Sequence, residues 1–412
     1  MASNDILDAE LRREVARNRY AAALARDTIG PTAQQLARRL PRILTEYDFP
    51  DLTQKDLNAM TKAVADEFGG AWRGMWDDIS AELIRLANIE AEAVAGVYND
   101  YTPDALLVPD REEVEAAARN AVMTLTSDVT ESGTWAQFVR RNLDAGTRAL
   151  AGAIREGYNN GTPLSELIRT IRGVRGDDGV YRGGILNNKT RAQAEALART
   201  GVSHYANVAR DSFAEKNKDV IEGRYLFATL DNRTTTICFS RHLNFYKTGE
   251  KYPPLPFHHG ERSQYIFKTK GFDPLNTTRP VTGGREGEEA AEKFAARKQR
   301  LDNRRARQSE LRAEGEPAGT TSSKPKYRGR RDLDVFDVKQ VSAKMTSDQF
   351  LRQQPRWFVE STLGKKKAAL FLDGGLKIDR FTDMTGRPLT LDELRETVAG
   401  ERAFAKVKND GS

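Results

Sequence analysis

Between residues 64 and 94, apolar side chains recur at steps of three or four: Val64, Phe68, Trp72, Met75, Ile79, Leu83 and Leu86, with the same face continuing to Val94. That spacing turns one face of an α-helix toward a core for about thirty residues, so the chain has to assemble around a long packing rod. Thr53 stands where an N-cap belongs. The pair Gly69-Gly70 interrupts the rod and predicts either a bend or a close helix crossing.

The flanking segments share this period. Helices are expected over Asp5 to Arg26, Thr32 to Glu46, Asp110 to Ser127, Thr134 to Tyr158 and Leu164 to Arg172. Gly173, Gly176, Gly179, Gly183 and Gly184 then read as a linker or surface loop, because they lack the strand-turn-helix setting of a phosphate-binding loop. A helix over Asn188 to Glu215 precedes the strand-like run Arg224 to Leu230, and turns and short strands follow around Pro253, Pro254, Pro256 and Pro280. Gly287 to Gly315 reads as a charged, exposed helix, and 317–330 as a flexible basic connector. Beyond it a strand is expected over 333–338, with short helices over Ser347 to Phe358 and Leu363 to Phe371. Thr390-Leu391-Asp392-Glu393 fits a capping box before a last helix. The expected class is α+β, predominantly helical. It comprises an elongated helical region (1–173), a small mixed core (174–282), a basic helix and linker (283–331) and a C-terminal structured segment (332–412).

Composition narrows the chemistry. Cys238 is the one cysteine and has no internal disulfide partner, and four histidines (His204, His242, His258, His259) leave few soft ligands. Cys238, His242, His258 and His259 could in principle surround zinc, but loop packing is the better reading, so neither metal nor cofactor is expected. A Cys238–His242 nucleophile pair lacks an orienting acid and an oxyanion site, so no catalytic residue is assigned. No signal peptide or membrane span is read.

The 65 Lys and Arg exceed the 59 Asp and Glu by six. Arg285 to Arg331 alone holds 14 basic and 8 acidic residues, so the whole excess sits there. Arg297, Lys298, Arg300, Arg304, Arg305 and Arg307, extended by Lys324, Lys326, Arg328, Arg330 and Arg331, are candidates for salt-dependent, sequence-independent contacts with nucleic-acid phosphates. Interspersed glutamates dilute this field, and no base-stacking platform accompanies it.

Three motifs in order carry a resemblance. They are Leu197-Ala198-Arg199-Thr200, then Leu230-Asp231-Asn232-Arg233-Thr234-Thr235-Thr236-Ile237-Cys238, then Pro253-Pro254 followed by His258. Over about residues 110 to 275 the chain resembles the tailed-phage head morphogenesis family, the Mu F-like minor head proteins. That family's pattern is Arg-Thr-Glu on a helix, Asp-x-Arg-Thr leading into a cysteine, and a proline pair followed by His-Pro-Asn-Cys-Arg. Arg199, Thr200, Asp231, Arg233, Thr234, Cys238, His258 and Arg262 match, whereas Gly201 replaces the glutamate, His259 the proline and Glu261 the second cysteine. Arg199 or Arg233 is expected to pair with Asp231 in a structural core. A second match covers Phe358 to Gly364, Ala369-Leu370-Phe371 and Thr385 to Leu394.

The resemblance implies a non-enzymatic minor component of the virion head, made in the host cytoplasm and placed near the portal. Its helical region would dock on the portal protein, with the major capsid or scaffold proteins and packaged double-stranded DNA as further partners and no membrane involved. The alternative is a nucleic-acid-binding accessory enzyme that uses a Cys-His site.

Overall fold

The computed structural model describes residues 3–47, 49–103, 105–126, 131–313 and 335–409. Its fold is α+β and predominantly helical. Helix α1 (Ser3–Leu24) passes through a π-helical turn, Ala25–Ile29, into α2 (Gly30–Thr45). The rod is α3 (Gln54–Tyr101), 48 residues and so about 72 Å long. Thr53 starts it with a capping box: the Thr53 hydroxyl accepts from the Asp56 amide and the Asp56 carboxylate from the Thr53 amide. Val64, Phe68, Trp72, Met75, Ile79, Leu83 and Val94 are all buried.

Around α3 stand α4 (Arg111–Asn120), α5 (Trp135–Asn159), α6 (Leu164–Arg172) and α7 (Ala192–Lys216), with α2, α5 and α7 packed directly on the rod. The rod is helical straight through Gly69-Gly70, and the glycines that allow close crossings belong to its partners. A Cβ on Gly146 of α5 would stand 2.5 Å from the Phe68 ring, and one on Gly201 of α7 would stand 2.6 Å from the Trp135 ring and 2.8 Å from Leu83. The expected helix over 110–127 stops at Asn120. Val122–Leu125 instead forms strand β1, paired antiparallel with β2 (Glu131–Thr134). Alternating exposure along Val122, Met123, Thr124 and Leu125 fits a strand with one buried face, a pattern the preceding helix formers masked. The glycine-rich stretch is not wholly irregular, because β3 (Val174–Arg175) and β4 (Tyr181–Arg182) pair within it.

The far end of α3 enters a second core. Val94 and Tyr98 pack with Phe213, Leu226, Ile266 and Phe267 against a three-stranded antiparallel sheet. Its central strand is β5 (Ile221–Phe227), flanked by β6 (Phe245–Lys247) and β7 (Gln264–Thr269), with α8 (Thr236–Arg241) between β5 and β6 in sequence. Helix α1 is held here by charge. Arg210 donates to both carboxylate oxygens of Glu10 at 2.8 Å and lies 3.3 Å from Glu90, which also receives Arg13 and Arg17. Burial alone would raise the Glu90 carboxyl, but the three guanidinium groups outweigh it and hold it below its ordinary range.

Strand β8 (Thr278–Gly284) pairs antiparallel with β9 (Phe336–Ser342), and α9 (Glu288–Ala313) follows β8 and sets its Phe294 ring against Trp357 and Phe336. A third apolar cluster gathers α10 (Ser347–Arg352), α11 (Arg356–Leu363), α12 (Lys365–Leu372), α13 (Leu391–Arg395) and α14 (Val398–Asn409). The single helix expected over 347–358 is two, because Pro355 serves as the N-cap of α11. Thr390 and Glu393 form the expected capping box. Among the described residues no helix is long and apolar enough to cross a membrane.

Candidate functional site

Leaving β5, the chain must turn into α8, and Asp231 makes that turn. Its Oδ1 accepts from the Arg233 amide at 2.9 Å and lies 3.1 Å from the Thr234 hydroxyl. This aspartate turn carries the chain to Thr235, the N-cap of α8, and so sets Cys238 on the inner face of the helix, where it is buried.

From the other side, the loop before β7 brings His258, Glu261 and Arg262. Arg262 forks onto Asp231 with two bonds of 2.7 Å, a planar bidentate pair that ties the second motif to the third. Burial would raise the Asp231 carboxyl, but the Arg262 bonds and charge overcome it and hold it below its ordinary value. Of the two expected partners, Arg233 does pair with Asp231, more loosely than Arg262, and Arg199 does not. The Arg233 head is exposed, 3.7 Å away, and Arg199 instead lies 3.7 Å from Glu195, because its position on α7 faces outward. Thr200 is buried and bonds the Ala196 carbonyl, with His259 Nδ1 2.8 Å from its hydroxyl.

At the centre, Cys238 Sγ lies 3.2 Å from His258 Nε2 and 3.1 Å from Glu261 Oε1. Thr235 Oγ1 sits 3.0 Å from both Sγ and Nε2. Glu261 is further fixed by the Ser263 and Phe257 amides at 3.0 and 3.3 Å, and His258 Nδ1 is 2.9 Å from the His259 carbonyl. Burial, reinforced by the Glu261 charge, pushes the Cys238 thiol well up, so without a cation beside it the sulfur keeps its proton.

Of the four soft ligands weighed from sequence, only Cys238 and His258 meet. His242 is the C-cap of α8 with an extended backbone, so the i, i+4 neighbourhood with Cys238 is lost. Its Nδ1 accepts from the Ala228 amide instead. His259 is taken up by Thr200. Glu261, which sequence reasoning passed over as a ligand, completes the cluster. The signal was its place in the motif, where the resembling family has its second cysteine.

The sequence-predicted phosphate contacts divide. Arg297, Lys298 and Arg300 are exposed on α9. Arg304, Arg305 and Arg307 lie in the same helix, with their side chains outside the described residues. Lys324, Lys326, Arg328, Arg330 and Arg331 lie outside the described residues altogether.

Comparison with family models, with curated proteins and with solved structures returns no match.

Proposed function

We propose that this chain is a minor structural component of a tailed-phage head, acting in head morphogenesis near the portal. The observation that carries the reading is convergence. Asp231 and Cys238 of the second motif meet Arg262 and His258 of the third, and Glu261 and His259, which stand where the chain departs from the pattern, join Cys238 and Thr200 to the same polar cluster. Such a cluster holds chain segments together. Cys238 is buried, which sets its sulfur away from a nucleic-acid substrate and supports a role without turnover.

In this reading the helical region docks on the portal, with capsid or scaffold proteins as neighbours, and α9 presents basic side chains toward packaged DNA. Co-expression with the cognate portal protein tests it: the two should co-purify, and DNA incubated with the complex and divalent metals should stay intact. The closeness of Cys238 and His258 favours one other reading, a nucleic-acid-binding accessory enzyme. That reading gains if DNA is cleaved by the wild type and not by C238S, and the structural reading then falls.

A further inference from the structure

We propose that Cys238, His258 and Glu261 form a binding site for one zinc ion, which pins the amino-terminal turn of α8 to the loop preceding β7. Their ligand atoms all lie within 4.8 Å of one another. Bonds of 2.0–2.3 Å in tetrahedral geometry separate ligand atoms by about 3.3–3.8 Å. From Sγ, the separations of 3.1 Å to Glu261 Oε1 and 3.2 Å to His258 Nε2 need to widen by only a few tenths, and Nε2 already lies 3.4 Å from the other carboxylate oxygen, Oε2.

Orientation points the same way. His258 Nδ1 is spent on the His259 carbonyl, which leaves the Nε2 lone pair aimed at Cys238 and Glu261, the outer-shell arrangement that fixes a ligating imidazole. Glu261 is likewise held by the Phe257 and Ser263 amides, with Oε1 toward the sulfur and Oε2 toward the imidazole. The cluster also lacks positive charge. Glu261 is buried, the neighbouring Arg262 is committed to Asp231, and among the described residues the one basic group within ion-pair distance of Glu261 is the His258 ring. A divalent cation would balance this carboxylate and a Cys238 thiolate, with the thiol proton leaving to solvent.

Sulfur, imidazole and carboxylate together select zinc over magnesium or calcium. The Thr235 hydroxyl, 3.0 Å from two of the three ligands, faces the fourth position and either fills it or holds the water that does. The ion would lie inside the polar cluster, bridging segments 20 and more residues apart.

The test is metal analysis of the full chain, purified under reducing conditions without chelator. About one zinc per chain is expected. After stripping, Co2+ should restore stoichiometric binding with a sulfur-to-cobalt charge-transfer band, a signature that core packing alone does not produce. C238S should abolish that band, and the near-isosteric E261Q should weaken zinc binding beyond the 10- to 100-fold that loss of an outer-shell partner costs. A chain with an intact circular dichroism spectrum that takes up neither Zn2+ nor Co2+ overturns the proposal. So does a C238S or E261Q variant with wild-type zinc affinity. The wild-type cobalt spectrum decides the matter even if the variants misfold.

Discussion

Along α3 the side chains that fix the fold are apolar and recur every three or four residues, whereas from β5 to β7 the decisive groups are polar and far apart in sequence. Asp231 and Arg262 are 31 positions apart, and Cys238 and Glu261 are 23. The first kind of contact follows from helical period, since burying one stripe requires only that the stripe exist. The second depends on a turn made by Asp231, a cap at Thr235 and a loop that returns at the right height. Spacing says nothing about such a meeting, while residue type and order in the chain say a good deal.

Gly201 blurs the comparison, because it belongs to a motif yet is controlled by the apolar half. The resembling family has glutamate there, but in this chain Trp135 and Leu83 crowd the position. G201E should therefore destabilise by more than the roughly 1–3 kcal/mol of ordinary overpacking, since a carboxylate would be buried as well. Denaturant unfolding measures this, and a neutral result would mean that α7 does not cross so closely.

Acid should separate the two kinds of contact further. Burial pushes His204 down to about 4, so the unfolded chain binds the proton more readily. Stability from this group is complete above pH 6.5 and falls as pH drops toward 4, by up to about 3 kcal/mol. His242, also pushed down by burial, adds in the same direction. Glu90 and Asp231 run on a lower window. Their folded values are depressed, so their contribution is lost only as pH falls below the ordinary carboxylate range. Unfolding midpoints across pH 7 to 4 should show the histidine slope first, and H204F should flatten it.

The third effect is smaller. R262A removes two charge-assisted bonds and leaves Asp231 partly buried without its main partner, which should cost about 2 kcal/mol. The same change in the first kind of contact would have no counterpart, because an apolar stripe has no single partner to lose. An R262A protein as stable as wild type would mean that the motifs converge without holding one another.

Legibility in the sequence follows this division. The Val64 to Val94 stripe, the caps at Thr53 and Thr390, and the helix after Gly287 could be read because each rests on local chemistry. The overrun past Asn120 came from helix formers adjoining a short alternating strand. That Arg262 joins Arg233 on Asp231 as the closer, bidentate partner, and that Glu261 rather than His242 stands beside Cys238, could not be read. Both are decided by which way a helix end or loop turns its side chains.

The central claim is that this polar cluster serves a head protein without turnover. Mass spectrometry and cryo-electron microscopy of purified immature and mature heads test it most directly. The account predicts the chain in both, in contact with the portal. Its absence from every head particle, with the protein free in the lysate, would contradict the account.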